Sequence, residues 1–295
     1  MQGTVDGFSY GTVTPVTAYV MACLGAALGL RCITRSLRDD DDTSWKPGWL
    51  ALGAASIGCG IWTMHFIAMI GFQVEESRIR YDVGLTILSL AVAVVVVGLG
   101  VFAVGYRGAG TTTLLVAGTF TGLGVAGMHY IGMAAIRLNG SLRYDVPTVA
   151  LSVVIALVAA TAALWAAVAI RGFLTSLGAS LVMGVAVSGM HYTGMAAVSV
   201  HLHGASGGPG AGGSAHSLLL PMLTGPVLFL LLAGVVVMFD PMLVLGEGDW
   251  NRTTARRRAP GRQQDPPAWS GSAFEPPPRT GRRGYEPGAP TRRNG

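Results

Sequence analysis

Seven long apolar stretches, separated by short polar segments, dominate the pattern of this chain. They cover residues 15–33, 49–72, 83–106, 113–136, 146–170, 173–200 and 218–239. A helix needs about 20 apolar residues to cross the hydrocarbon core of a bilayer. Backbone N–H and C=O groups find no water in lipid, so helices are the expected form. The pattern predicts an all-α integral membrane protein with seven transmembrane helices, in contact with the lipid bilayer.

The distribution of basic residues predicts the orientation. No Lys or Arg precedes Arg31, so the first stretch lacks the basic leader of a cleavable signal peptide. Basic residues follow that stretch, and half of the 20 Lys and Arg residues lie beyond residue 240. Basic segments favour the inner side of a membrane. We therefore expect the N-terminus outside and the C-terminus inside.

One short string occurs three times, near the end of every second stretch. The copies are Met-His-Phe-Ile-Ala-Met at 64–69, Met-His-Tyr-Ile-Gly-Met at 128–133 and Met-His-Tyr-Thr-Gly-Met at 190–195. The histidines lie about 60 residues apart, close to one helical hairpin, and Arg-Tyr-Asp-Val recurs at 80–83 and 143–146. The chain is therefore interpreted as tandem two-helix repeats. The expected orientation places all three strings at the outer ends of helices two, four and six.

The strings contain ligands for a soft metal. Positions i and i+4 share one helix face, so each His aligns with the Met four residues later. The Met before each His points about 100° away. Imidazole suits copper, zinc, iron and nickel, and thioether selects Cu(I). Copper is the favoured metal, with haem held by His/His or His/Met as the alternative. The candidate ligands are His65, Met69, His129, Met133, His191, Met195, Met64, Met128 and Met190.

Simpler interpretations stand beside this one. Membrane histidines also serve in hydrogen bonds between helices, although ionisable groups in lipid are candidates for function. Interfacial anchoring accounts for Tyr130 and Tyr192 at least as well as hydrogen bonding around a metal site does. The Arg and Asp of each recurring phrase either pair locally at a helix boundary or shape an entrance to the histidines. Three further histidines occur in a Gly-rich loop, where they are interpreted as incidental: His201, His203 and His216.

The remaining sequence excludes several classes of protein. It contains no P-loop, nucleotide-binding fingerprint, kinase motif, nucleophile elbow or zinc-protease string, so we expect neither an enzyme nor a nucleic-acid partner. Residues 11–245 are interpreted as the membrane domain. Residues 246–295 are rich in Arg, Pro and Gly and are expected to form a disordered cytoplasmic tail.

The strings resemble those of the MHYT-domain family of bacterial integral membrane sensors. Residues 190–193 reproduce the Met-His-Tyr-Thr of the family name, and the other two copies are looser. The resemblance implies a sensor in the bacterial cytoplasmic (inner) membrane that binds a metal, copper in the family proposal, near its outer face. It also implies a response to oxygen, carbon monoxide or nitric oxide.

The resemblance is incomplete at the C-terminus. Many family members carry a cyclic-di-GMP or histidine-kinase output domain after the helices, whereas this chain has a short tail. A separate signalling partner protein is therefore expected.

The alternative function is a copper transporter or a copper-delivery accessory protein, with Cys59 and Met183 as scattered candidates deeper in the membrane.

Overall fold

The computed structural model describes residues 5–6, 11–37, 46–74, 79–170, 172–202 and 215–239. This part contains seven helices that are long and apolar enough to cross a membrane, which confirms the predicted fold class. The predicted tail and His203 lie outside the described residues, as does the side chain of His216. The helices are α1 (Val13–Ser36), α2 (Lys46–Ile70), α3 (Val83–Arg107), α4 (Thr111–Ala134), α5 (Val146–Ala169), α6 (Phe173–Ala196) and α7 (Ala215–Phe239).

Short antiparallel strands, which the sequence did not predict, join the two ends of each helical hairpin. The sixth apolar stretch was expected to run as helix to residue 200, but α6 ends at Ala196 because the next residues enter a strand. All strands lie where α2, α4 and α6 end, and we call this side the strand end. The pairs are β1 (Val5–Asp6) with β2 (Gln73–Val74), β3 (Arg80–Tyr81) with β4 (Ile136–Arg137), and β5 (Gly140–Tyr144) with β6 (Val198–Leu202).

The strand pairs define a repeat of strand, helix, helix and strand. In the second and third units the same backbone bond closes the hairpin. The amide of Asp82 donates to the carbonyl of Ala135 at 2.8 Å, and the amide of Asp145 donates to that of Ala197 at 2.9 Å. Because equivalent atoms bond in both units, the backbone geometry supports the tandem duplication read from the sequence.

The first six helices pack in a closed ring, in which α6 contacts α1, and α7 packs outside against α1 and α2. A glycine seven residues before each histidine lies where an even-numbered helix meets the next repeat. A Cβ atom at two of these glycines would approach backbone to 2.7–2.9 Å, closer than real Cβ atoms come. The facing residues are Val94 for Gly58, Leu157 for Gly122, and Cys23 for Gly184.

The outer surface of the ring is apolar. Leu99 on α3 is 54% exposed and Val158 on α5 is 65% exposed. At the end opposite the strands, the Arg31 guanidinium lies 4.8 Å from the Phe173 ring centroid, and the Lys46 ammonium lies 5.1 Å from that of Tyr106. An apolar band with basic residues at one end is typical of a multi-pass membrane protein. The assignment of that end to the inside stays a prediction.

Candidate metal centre

The three string histidines meet on the axis of the ring. His65, His129 and His191 each lie five residues before the end of their helix, so equivalent turns carry them to one level. The Nδ1 atoms are 3.0 Å apart between His65 and His191, 3.2 Å between His129 and His65, and 3.4 Å between His191 and His129. Each ring is at most 1% exposed. We call this cluster the histidine triad.

Hydrogen bonding alone does not satisfy the histidine triad. A neutral imidazole Nδ1 is either a donor or an acceptor. With three Nδ1 atoms in mutual contact, at least two of them are both donors or both acceptors. The contact between those two nitrogens is therefore not a hydrogen bond. The Nε2 atoms of His65 and His129 are also buried and have no hydrogen-bond partner among the described residues. A metal ion between the three Nδ1 atoms would accept their lone pairs and remove this mismatch, with each Nε2 then carrying the ring proton.

The spacing of the three nitrogens fits one metal ion. The point equidistant from all three Nδ1 atoms lies about 1.9 Å from each, close to the roughly 2.0–2.1 Å of a zinc–imidazole bond. A small displacement of an ion out of the plane lengthens these distances into that range. Within the described part of the chain, the triad is the one group of three His, Cys, Asp or Glu side chains placed to hold a metal.

Glycine makes room for two of the imidazoles. A Cβ atom at Gly194 on α6 would lie 2.5 Å from Nε2 of His129, and one at Gly132 on α4 would overlap Nε2 of His65. Each glycine comes three residues after the histidine of its own helix and faces the histidine of the preceding repeat. The glycine of the second and third strings was visible in the sequence. Its role in making room for an imidazole was missed, because that imidazole comes from a neighbouring helix.

The six candidate methionines are not all in one environment. Four belong to the central hydrophobic cluster, and Met195 is partly buried against it. Met64 instead packs in a separate cluster with Ala18, Ala22 and Ala68. The assignment of thioether ligands stays a prediction. The four central methionines are Met69, Met128, Met133 and Met190.

The aromatic residues beside the triad bond between helices. The Tyr130 hydroxyl lies 2.6 Å from the Ser152 hydroxyl on α5, which differs from the interfacial anchoring expected for it. Phe66 replaces the tyrosine in the first string, and there Trp62, one turn earlier, donates to Ser89 on α3 at 2.9 Å. Ser89 and Ser152 occupy equivalent positions of their repeats. The first repeat thus uses Trp62, where the second uses Tyr130, to bond the equivalent serine of the next helix.

The recurring phrase at the strand end acts mainly in capping. The Asp82 carboxylate accepts from the Leu85 amide at 3.0 Å and from Arg137 at 2.9 Å, so its described ion pair joins the start of α3 to β4 and is not local. These two hydrogen bonds lower the pKa of Asp82, and the bond from the Leu85 amide has the larger effect. The equivalent Asp145 bonds both the hydroxyl and the amide of Thr148, which lowers its pKa. Both aspartates are N-caps.

The other described histidine is not part of the centre. His201 lies in β6, where it pairs with Ser141 of β5, and it is partly exposed. It therefore offers a comparison residue outside the triad.

Comparison with known proteins identifies the repeat. The family MHYT, described as "Bacterial signalling protein N terminal repeat", matches residues 58–117 and 122–180. The chain is 41% identical over 169 residues to the bifunctional diguanylate cyclase/cyclic di-GMP phosphodiesterase MucR of Pseudomonas aeruginosa, covering 56% of this chain and 24% of that protein. It is 36% identical over 236 residues to the cyclic di-GMP phosphodiesterase NbdA of the same species, covering 76% of this chain and 29% of that protein.

A more distant relative extends the range of organisms. The signaling protein YkoW of Bacillus subtilis is 28% identical over 200 residues, covering 65% of this chain and 24% of its own length. The chain thus spans about a quarter of the length of these curated relatives. No solved structure matches the chain.

Proposed function

We propose that this chain, which belongs to the MHYT-repeat family of bacterial signalling proteins, is a membrane sensor that binds one copper ion at the histidine triad near its outer face and responds to oxygen, carbon monoxide or nitric oxide. One observation carries the proposal. Three buried Nδ1 atoms surround a common point at a distance suited to a metal–imidazole bond.

The charge of the site favours Cu(I) over a divalent ion. Helices α2, α4 and α6 contain no Asp or Glu, and neutral imidazoles do not offset a metal's charge. The cost of burying an ion in a low-dielectric medium rises with the square of its charge, so a divalent ion costs about four times as much as a monovalent one. The histidines also lie near three helix C-termini, which stabilise cations.

Methionine supplies further support for copper. The Met four residues after each His lies on the same helix face, one turn toward the strand end. Helical side chains lean toward the N-terminus, so these methionines lean back toward the triad. Thioether selects Cu(I). Met69 and Met133 are almost fully buried there, which favours them as additional ligands.

Copper held by the three Nδ1 atoms would supply a binding position for a diatomic ligand. The three Nδ1 atoms define a plane, and a ligand would reach a metal held there from the side away from the strand end, opposite Met69 and Met133. Haem fits less well, because two axial imidazoles on one iron need their nitrogens roughly 4 Å apart, twice the length of a metal–imidazole bond. The triad nitrogens are at most 3.4 Å apart.

Transport of copper has less support. The deeper candidate ligand Cys59 packs among apolar residues that include Leu28 and Leu230, in a cluster separate from the centre. Met183 lies among apolar side chains near the axis. Among the described residues no second group of three His, Cys, Asp or Glu side chains lies along a path from the triad, which favours a fixed site.

The output of the sensor is proposed to act through a separate signalling protein. The matches to MucR and NbdA cover about a quarter of each relative, so their named activities describe those whole proteins.

Metal analysis of the purified protein tests the proposal. We expect near-stoichiometric copper after loading with Cu(I), loss of copper in His65→Ala, His129→Ala and His191→Ala, and retention in His201→Ala as the matched control. Addition of carbon monoxide should give a carbonyl stretch in the infrared spectrum of the loaded protein. A folded protein that binds no added Cu(I), or one whose binding depends equally on His201, would refute the copper site.

A further inference from the structure

An apolar cavity lies directly beneath the histidine triad. Its volume is about 60 Å³, and all six helices of the ring contribute to its wall. Residues four and eight positions before each histidine line it, so they share the inward face of their helices with the triad. Each histidine follows the cavity wall by one helical turn, so the triad lies beyond the cavity on the side toward the strand end. These residues are Ile57 and Ile61, Thr121 and Val125, and Met183 and Val187.

Small residues on α5 create this space. At equivalent positions of the preceding repeat, α3 carries Val97 where α5 carries Ala160, and Val104 where α5 carries Ala167. Val97 and Val104 are almost fully buried. Two branched side chains are thus replaced by methyl groups, and the missing volume faces the ring axis. These alanines on α5 therefore enlarge the cavity, whose wall all six helices of the ring share.

The chemistry of the wall restricts what enters. Thr121 is the one polar residue that lines the cavity among the described residues, and its hydroxyl donates to the Val96 carbonyl at 3.4 Å. Ions and strongly hydrated molecules would lose their hydration without replacement. Apolar cavities stay dry and take up xenon or small hydrocarbons. The volume is about four times the roughly 15 Å³ that one water-sized probe needs.

We propose that this cavity holds a small, neutral, apolar molecule of diatomic size and delivers it from the membrane interior to the face of the histidine triad that points away from the strand end. Such molecules dissolve in hydrocarbon, so the lipid around the ring is their source. Met190 lines the cavity and directly precedes His191, so it lies at the boundary between the two sites. Holding the molecule is independent of the metal, whereas delivery rests on the proposed copper site.

Xenon is the probe for the holding site. We expect one xenon atom beneath the triad in crystals of the full chain under xenon pressure, with or without copper. Ala163→Leu should fill the cavity and remove this xenon, whereas Ala162→Leu, on the exposed face of the same helix, should retain it. Ala160→Val provides a milder filling variant, because α3 already carries valine there. No xenon in the wild-type protein, or a lipid chain in its place, would overturn the proposal.

Carbon monoxide tests delivery. In copper-loaded protein, Ala163→Leu should slow the association of carbon monoxide severalfold and leave the copper content unchanged, with Ala162→Leu as the control. An unchanged association rate in a variant that has lost xenon would overturn the route. Xenon binding in a protein that takes up no copper would refute the metal site and leave the cavity assignment intact.

Discussion

The fit between Gly132 and the His65 ring provides a sharp test of the centre. In Gly132→Ala the new methyl group would overlap Nε2 of His65 and lie 3.0 Å from its Cδ2, where ordinary contacts are 3.4–4 Å. The ring has to move by about 1 Å, while metal sites tolerate deviations of about 0.2 Å. All three histidines are retained, so the substitution changes the geometry of the centre and not its composition.

We expect Gly132→Ala to weaken Cu(I) binding by about 10–100-fold, the range found when the support of a metal ligand is removed. This loss equals about 1.4–2.8 kcal/mol. Gly127→Ala is the matched control, because it lies on the same helix and its Cβ atom meets nothing within 4 Å. Both substitutions gain the same helix propensity of roughly 0.5–1 kcal/mol. Their difference therefore isolates the contact with His65.

The assay is a competition titration with a Cu(I) chelator on protein in detergent, after circular dichroism has shown equal helix content. The pair Gly194→Ala and Gly189→Ala repeats the comparison on α6, where the first faces His129 and the second faces open space. If a folded Gly132→Ala protein binds Cu(I) as tightly as Gly127→Ala does, the histidine geometry described above is wrong.

Three further predictions concern helix packing and the strand end. Gly122→Ala should lower the free energy of unfolding by about 1–3 kcal/mol, because its Cβ atom would lie 2.7 Å from the backbone of Leu157; unchanged stability in denaturant unfolding would contradict this contact. Tyr130→Phe should cost about 0.6 kcal/mol through loss of the bond to Ser152, and a double-mutant cycle without coupling would exclude that bond. Since folding depresses the pKa of Asp82, its stabilisation is fully present above the ordinary pKa of 3.8 and is lost as pH falls through the lower folded value. Asp82→Asn should flatten the acid limb of a stability–pH curve, and an unchanged limb would contradict this.

Several features could be predicted because they depend on local sequence. Helix number follows from the length of each apolar stretch, and the repeat follows from its period. The approach of the histidines was expected because one string recurs near the end of alternate helices. The strands were missed, since a segment such as Arg80–Tyr81 becomes a strand only when Ile136–Arg137 lies beside it. The role of Trp62 was missed for the same reason. Its indole makes the contact that Tyr130 makes in the second repeat, and this contact requires Ser89 on another helix.

The sequence by itself determined that this is a seven-helix membrane protein with three equivalent histidines, because hydrophobic length and helical periodicity are properties of neighbouring residues. The tertiary structure decided that the imidazoles meet through Nδ1 at 3.0–3.4 Å, that Gly132 and Gly194 make room for them, and that alanines on α5 leave a cavity beneath. These features depend on how six helices cross and close into a ring. Close packing between helices is set by residues far apart in the chain, which no local pattern records.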